Sequence, residues 1–218
     1  MRSFVLAAAL LGAASALPAQ QPAASGAAAP AAGRLPAGWV ARLDRPNARL
    51  EDLSFEAMGG GYHVTTGPST ILYDPAARAS GNFTLSATFT QMKPSNHPEG
   101  YGLFIDGGEL DGPGQNYAYF LVRQDGKAIV LHRAGADVHR IMEWTDHPSI
   151  VKVGESGKAT NTLSVAVGAD SVRFLVNGQP VTAIGRDHFG SADGVYGLRV
   201  NHNLDVHVAD LKYTPRAP

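Results

Sequence analysis

Ser171–Ile184, "SVRFLVNGQPVTAI", decides how this chain reads. It is two strand-like runs joined by Asn177-Gly178, a pair whose residues both tolerate positive φ, which makes it the strongest short hairpin signal. Working outward, Asn161–Val167, "NTLSVAV", places Leu163, Val165 and Val167 on one face of an extended segment. Asn82–Thr90, "NFTLSATFT", sets Phe83, Leu85, Ala87 and Phe89 against Thr84, Ser86, Thr88 and Thr90. A period of two marks a strand with one buried face. Tyr119–Arg133, "YFLVRQDGKAIVLHR", predicts a second hairpin, around Asp125-Gly126. Gly194–Thr214, "GVYGLRVNHNLDVHVADLKYT", predicts two more strands with a turn at His202-Asn203. Further strands are expected at Leu53–Met58, Tyr62–Thr66, Thr70–Tyr73, Tyr101–Ile105 and Val138–Trp144. No stretch holds helical periodicity for three turns; Gly185–Asp193 is expected to form a single helical turn. About a dozen strands at this spacing predict an all-β fold of two packed antiparallel sheets in a jelly-roll order.

The chain has 218 residues, enough for one domain plus appendages. Lys plus Arg total 18 and Asp plus Glu 19, a net charge of −1, which argues against a nucleic-acid partner. With 44% apolar residues the chain can bury a sizeable core. It has no cysteine, so disulfides, thiolate metal sites and cysteine nucleophiles are excluded. At the N-terminus, Arg2 precedes an apolar run from Phe4 to Leu11. That run is shorter than the ~20 residues that span a bilayer. Ala14-Ser15-Ala16 fits small-x-small cleavage, and Ala19 offers a second site. The expected division is a signal peptide over 1–19, an Ala/Pro-rich linker over 20–37, the sandwich over 38–214 and a tail over 215–218. The expected location is therefore secreted or periplasmic, with the signal peptide removed and no transmembrane span.

Four motifs in order carry a family likeness: Tyr101–Ile105 "YGLFI", Asn116–Gly135 "NYAYFLVRQDGKAIVLHRAG", Asn161–Val181 "NTLSVAVGADSVRFLVNGQPV" and Gly194–Asn201 "GVYGLRVN". The series resembles the concanavalin A-like lectin/glucanase superfamily over Ser54–Tyr213, and within it bacterial secreted domains that are family-16-like or 3-keto-disaccharide hydrolase-like. The resemblance implies a carbohydrate ligand on the concave sheet and, in many members, a structural Ca²⁺. Family-16 glucanases carry Glu, Asp and Glu at alternate positions of one strand, aimed into one cleft. Here the nearest match is Asp106, Glu109 and Asp111, set among glycines and a proline. Asp106 and Glu109 are three apart, so the expectation is an exposed connection rather than a catalytic pair. No oxygen-rich loop has calcium-site spacing, and no cofactor or metal is expected.

Candidate site residues follow from strand alternation. In Arg199–Val208, "RVNHNLDVHV", a turn at His202-Asn203 would send Leu204, Val206 and Val208 to the core. Asp205 and His207 would then share the opposite face with Arg199 and Asn201 of the paired strand. Such a cluster suits sugar hydroxyls, which need donors and acceptors together. It also suits general-base chemistry, with Asp205 orienting His207 and His202 as a second candidate base. Tyr117, Tyr119 and Arg123 share a face opposite Ala118, Phe120 and Val122 and form a candidate sugar platform. Trp144, expected on one face with Arg140 and Met142, is a candidate stacking residue. His63, at period two with Thr65, is a candidate cleft residue, and His97 and Glu99 are rim candidates. There is no G-x-S-x-G elbow and no phosphate loop. Three functions remain open: a secreted carbohydrate-binding sandwich, a glycoside hydrolase or lyase of the 3-keto-disaccharide type, and a non-catalytic envelope interaction domain.

Overall fold

A computed structural model describes residues 35–217. The expected signal peptide and most of the expected linker lie outside the described residues. In chain order the strands are β1 (Val40–Leu43), β2 (Leu53–Met58), β3 (Gly61–Thr66), β4 (Thr70–Ala79), β5 (Phe83–Gln91), β6 (Gly100–Gly108) and β7 (Asn116–Arg123). They continue with β8 (Lys127–Ala134), β9 (Asp137–Asp146), β10 (Ala159–Val167), β11 (Ser171–Val176) and β12 (Gln179–Gly185). A single helical turn, α1 (Arg186–Phe189), precedes β13 (Gly194–Val200) and β14 (Asp205–Pro215).

The strands form two seven-stranded antiparallel sheets. Sheet I has the order β1-β4-β13-β6-β7-β8-β9 and sheet II the order β12-β11-β10-β5-β14-β3-β2. This is the jelly-roll sandwich that the strand pattern predicts. The alternation in β5 is realised residue by residue: Phe83, Leu85, Ala87 and Phe89 are buried, and the intervening Thr and Ser residues are half-buried on the other side. Leu163, Val165 and Val167 of β10 and Val206 and Val208 of β14 fill the same layer. Sheet I answers with Tyr101, Leu103, Ala118, Phe120 and Leu198. Ring pairs cross between the sheets, Phe120 with Phe174 at 5.4 Å and Phe89 with Tyr101 at 5.6 Å between centroids. Each fully buried Phe contributes about 1.5–3 kcal/mol over its exposed state.

The turns show how residue chemistry sets the connections. Asn177 (φ 51°) and Gly178 (φ 78°) are both left-handed, the two-residue hairpin expected from the sequence. Between β7 and β8 the loop is longer. The Gly126 N–H donates to the Arg123 carbonyl at 3.0 Å, and of Asp125 and Gly126 only the glycine (φ 89°) is left-handed. That is the three-residue loop ending on a bulge glycine rather than a two-residue turn.

Three further expectations are corrected. First, β13 and β14 do not pair. Residue Asn203 (φ 56°) carries the chain from sheet I to sheet II, where β14 lies between β5 and β3. Second, the acidic stretch is not wholly an exposed loop. Strand β6 runs through Asp106 to Gly108, over a register shift between Ile105 and Gly108. Asp106 is half-buried there at φ 60°, while Glu109 and Asp111 are exposed as expected. Third, irregular pairing of β8 with β9 puts Arg140 opposite Leu131 but Met142 opposite Val130. Met142 therefore packs on the inter-sheet core and Trp144 on the other face of sheet I, which splits a set that strict alternation keeps together.

Candidate functional site

The two sheets differ on their outward faces. Sheet II turns out a polar surface of hydroxyls, with Thr88 and Thr162 bonded at 3.0 Å and Thr90 and Thr160 at 2.9 Å. Sheet I turns out a second buried cluster: Ile71, Tyr73, Phe104, Leu110, Tyr117, Tyr119, Leu121, Ile129 and Val195. Water would normally cover such a face, so its apolar and charged layer is what needs a role.

Cross-strand register builds this face in rows. One row runs Arg42, Ile71, Arg199, Gly102, Leu121, Ile129. The next runs Tyr73, Gly197, Phe104, Tyr119, Leu131, Arg140. A third carries Tyr117, Arg133 and Val138. Gly197 is required by close approach. A Cβ there would run into the Leu72 carbonyl and stand 2.7 Å from the Phe104 ring. Without one, Tyr73 and Phe104 meet edge-on across it, centroids 6.2 Å apart.

Arg199 is the centre of the charged layer. Its Nη1 and Nη2 donate to Asp44 Oδ1 and Oδ2 at 2.5 and 2.6 Å, and its Nε donates to Asn201 Oδ1 at 3.1 Å. Its side chain is only 5% exposed, and its guanidinium lies 5.4 Å from the Tyr119 ring centroid. Burial would lower the Arg199 pKa, but the hydrogen bond and charge of Asp44 outweigh it and drive the value up. Burial would likewise raise Asp44, but Arg199, with Arg133 and Arg42 behind it, holds that carboxyl below the ordinary range. Desolvation pushes the Tyr117 and Tyr119 hydroxyls up, against the pull of Arg199 and Arg133. Both phenols therefore stay neutral and remain donors.

Beside this centre, Trp144 reaches from β9 toward Gly100, where a Cβ would stand 3.1 Å from the indole. The Arg123 guanidinium stacks 4.3 Å from the Trp144 ring centroid, and its Nε donates to Asp125 at 2.8 Å. A groove of ≈ 810 Å³ lies here, lined by Ile129, Leu131, Val138, Arg140, Glu143 and Trp144, among others. A second cleft of ≈ 550 Å³ opens beyond Asp44, between Arg45, Asn47, Arg49, Ser69 and His202.

Of the residues that sequence reasoning singled out, the structure brings together Arg199, Asn201, Tyr117 and Tyr119, and sets Arg123 and Trp144 as a separate stacked pair on the same face of sheet I. It does not bring Asp205, His207 and His63 to them. Those three stand on the outward face of sheet II, because β14 pairs with β3 and not with β13. The expected Asp205–His207 dyad is not formed. Asp205 contacts His63 at 3.0 Å and Lys93 at 3.2 Å, whereas His207 Nε2 lies 3.0 Å from the Met58 carbonyl, to which it can donate. His202 sits at the sheet crossover, 3.2 Å from Glu99, and lines the cleft that Asp44 also lines. Sequence reasoning missed Asp44, Arg133 and Arg42. A usable signal was present in Lys127–Ala134, where Ile129 and Leu131 on one face match Ala128 and Val130 on the other. Two-sided apolar patterning marks a strand covered on both faces. Among the described residues no group of three His, Asp or Glu side chains is placed to hold a metal ion.

No family model and no curated protein matches the chain. Solved structures do. A carbohydrate-binding module, CBM66, from Bacillus subtilis aligns at 13% identity and TM-score 0.59, over 81% of this chain and 95% of that one. A putative glycosyl hydrolase from Parabacteroides distasonis aligns at 14% identity and TM-score 0.52, over 82% and 99%. A Bacteroides ovatus GH16 structure, of a mixed-linkage glucan locus and in complex with product, aligns at 7% identity and TM-score 0.52, over 78% and 92%. At these identities the likeness is one of fold: the chain has the two-sheet antiparallel jelly-roll sandwich that these structures also have.

Proposed function

We propose that this chain is an exported glycan-binding domain whose ligand lies across the outward face of sheet I. The observation that carries the reading is the second buried layer on that face, where tyrosine, tryptophan and arginine side chains are held in place by their own partners. Sugars present apolar ring faces and hydroxyls side by side, so they are held by aromatic surface together with fixed polar groups. The groove beside Trp144 supplies Ile129, Leu131 and Val138 as an apolar floor and Arg140 and Glu143 as polar walls. The fold neighbours that bind or cleave glycans support the same ligand class. Export rests on the residues 1–19. Binding is favoured over hydrolysis because Asp44, the acid at the centre of this face, is tied to Arg199 and kept ionised, so it is unsuited to donate a proton.

The test is retention of the exported protein on an array of neutral and acidic glycans, beside a Trp144→Ala variant. Binding that falls about tenfold or more in the variant, at unchanged Tm, supports the reading. Retention of no glycan, or binding that survives Trp144→Ala but is lost when His63 and His207 are replaced, overturns it.

A further inference from the structure

We infer that the glycan is acidic, and that Arg133 receives the carboxylate of a uronic acid residue. The inference rests on sheet I carrying the glycan site. Three guanidiniums, Arg42, Arg133 and Arg199, act on the single carboxylate of Asp44, which leaves a local excess of positive charge on a chain whose net charge is −1. Arg199 is fully engaged by Asp44 and Asn201, and Arg42 donates from Nη1 to the Leu110 carbonyl at 2.6 Å. Arg123 and Arg140 each have an acid of their own, Asp125 at 2.8 Å and Glu143 at 3.3 Å. Arg133 is the exception. Its side chain is 14% exposed, and its Nη2 stands 3.8 Å from Asp44, beyond hydrogen-bond reach. Its Nε is buried with no hydrogen-bond partner among the described residues.

A guanidinium N–H held out of water without an acceptor is destabilising. The neighbours offset this only in part: the Tyr117 hydroxyl interacts with the Arg133 guanidinium, but Arg199 repels it, and Asp44, 3.8 Å away, is hydrogen-bonded to Arg199 instead. A ligand anion would offset the rest. The register places Arg133 between Tyr117 of β7 and Val138 of β9, and Val138 lines the groove beside Trp144. A sugar ring lying on Leu131 and Val138 would bring a ring substituent to Arg133. The planar fork of one guanidinium matches the planar carboxylate of a uronate, with the Tyr117 hydroxyl as an adjacent donor. The rim acid Asp111 acts on Tyr73, as Arg42 does, so its charge bears on Arg42 rather than on Arg133.

The experiment measures affinity of the exported protein for oligogalacturonate and oligoalginate, for neutral galactan and mannan oligomers, and for sulfated dextran. Titrations at low and high salt compare wild type with Arg133→Gln and Arg133→Lys. The expected result is a preference for the uronates of about tenfold or more, the worth of one charge-assisted bidentate contact, weakened by salt. Arg133→Gln should reduce the ratio of uronate to neutral affinity by about tenfold. Arg133→Lys, which keeps the charge but not the fork, should fall between. If Arg133→Gln does not fold, the lysine variant and the salt dependence decide. Neutral oligomers bound as tightly as uronates overturn the inference and leave the glycan reading standing. Sulfated dextran bound in place of uronates overturns the carboxylate assignment. No glycan bound at all overturns the glycan reading, and this inference with it.

Discussion

Asp44→Asn removes the one charge that neutralises Arg199. The two residues are 155 apart in the chain, and the Arg199 side chain is 5% exposed and that of Asp44 24%. Breaking a buried pair from one side costs about 3–5 kcal/mol, because the other charge is left stranded. Here Asn keeps one acceptor and water reaches the Asp44 side, so the cost is somewhat below that range, about 2–4 kcal/mol. For a domain of this size 1 kcal/mol moves Tm by about 2–4 °C, so the expected fall is about 5–15 °C. Urea denaturation at pH 7 should show the loss as a lower midpoint at unchanged m. The double variant Asp44→Asn/Arg199→Met should be less destabilised than Asp44→Asn alone, since it buries no unpaired charge. The pH dependence has a definite sign. Asp44 titrates below its ordinary value in the folded state, so its stabilisation is complete above the unfolded value of 3.8 and is lost as pH falls through the lower folded one. The gap between wild type and Asp44→Asn should be flat from pH 8 to about 5 and close in stronger acid. A variant within about 0.5 kcal/mol of wild type at pH 7 would refute the claim that this pair organises the face.

Asp106, pushed up to about 6 mainly by burial, favours folding while protonated and loses that advantage as pH rises from 3.8 through 6. Asp106→Asn should therefore raise stability by about 1 kcal/mol at pH 7.5, after discounting for solvent screening, and give no gain at pH 4, as thermal melts at the two pH values would show. Asn also suits the left-handed φ of 60° there. His207→Ala should cost less than about 1 kcal/mol in urea denaturation and leave glycan affinity unchanged. Lost binding would move the site to sheet II. Gly197→Ala should cost about 2 kcal/mol or more, since the new Cβ meets the rigid Leu72 carbonyl and the Phe104 ring. A midpoint equal to wild type would contradict the packing of Tyr73 across it.

The strands were legible because one buried face writes a period of two into the sequence. In β5 the hydroxyl and apolar residues alternate without a break, and the Asn177-Gly178 turn dictates its own geometry. Two features were hidden for physical reasons. A bulge shifts the face by one residue without changing composition, so the run from Arg140 to Trp144 gives no sign that Met142 and Trp144 part company. The partner of a strand is equally silent. Val195–Val200 and Val206–Val208 are joined by a short turn-like segment, which reads as a hairpin, yet the chain uses it to cross between sheets. Local pattern fixes which residues face inward and leaves open which strand lies alongside.

That distinction explains why the site was half visible. Alternation put Tyr117, Tyr119 and Arg123 on one face of their strand and Arg199 with Asn201 on one face of theirs, but Asp205 and His207 were added through a pairing that does not exist. The better discriminator is the kind of alternation. Strands of sheet II read apolar-polar, as in Phe83–Gln91, and have one wet face. Central strands of sheet I read as nearly continuous apolar runs, as in Gly100–Ile105, Tyr117–Val122 and Ala128–Val130, and are buried on both faces. Among the described residues no strand or helix lies over the outward side of sheet I, so its apolar character there points to another cover. Here part of the cover is internal, from Leu110, Trp144 and the arginines. The remainder is the groove over Leu131 and Val138, bounded by Arg140, while Arg133, the register partner of Val138, stands beside it, 3.8 Å from an Asp44 already bonded to Arg199 and with its Nε unpartnered among the described residues. A hydrophobic partner would leave that Nε without an acceptor and a simple anion would leave the apolar floor wet. An acidic sugar satisfies both demands, because it joins an apolar ring face to a carboxylate at a fixed distance.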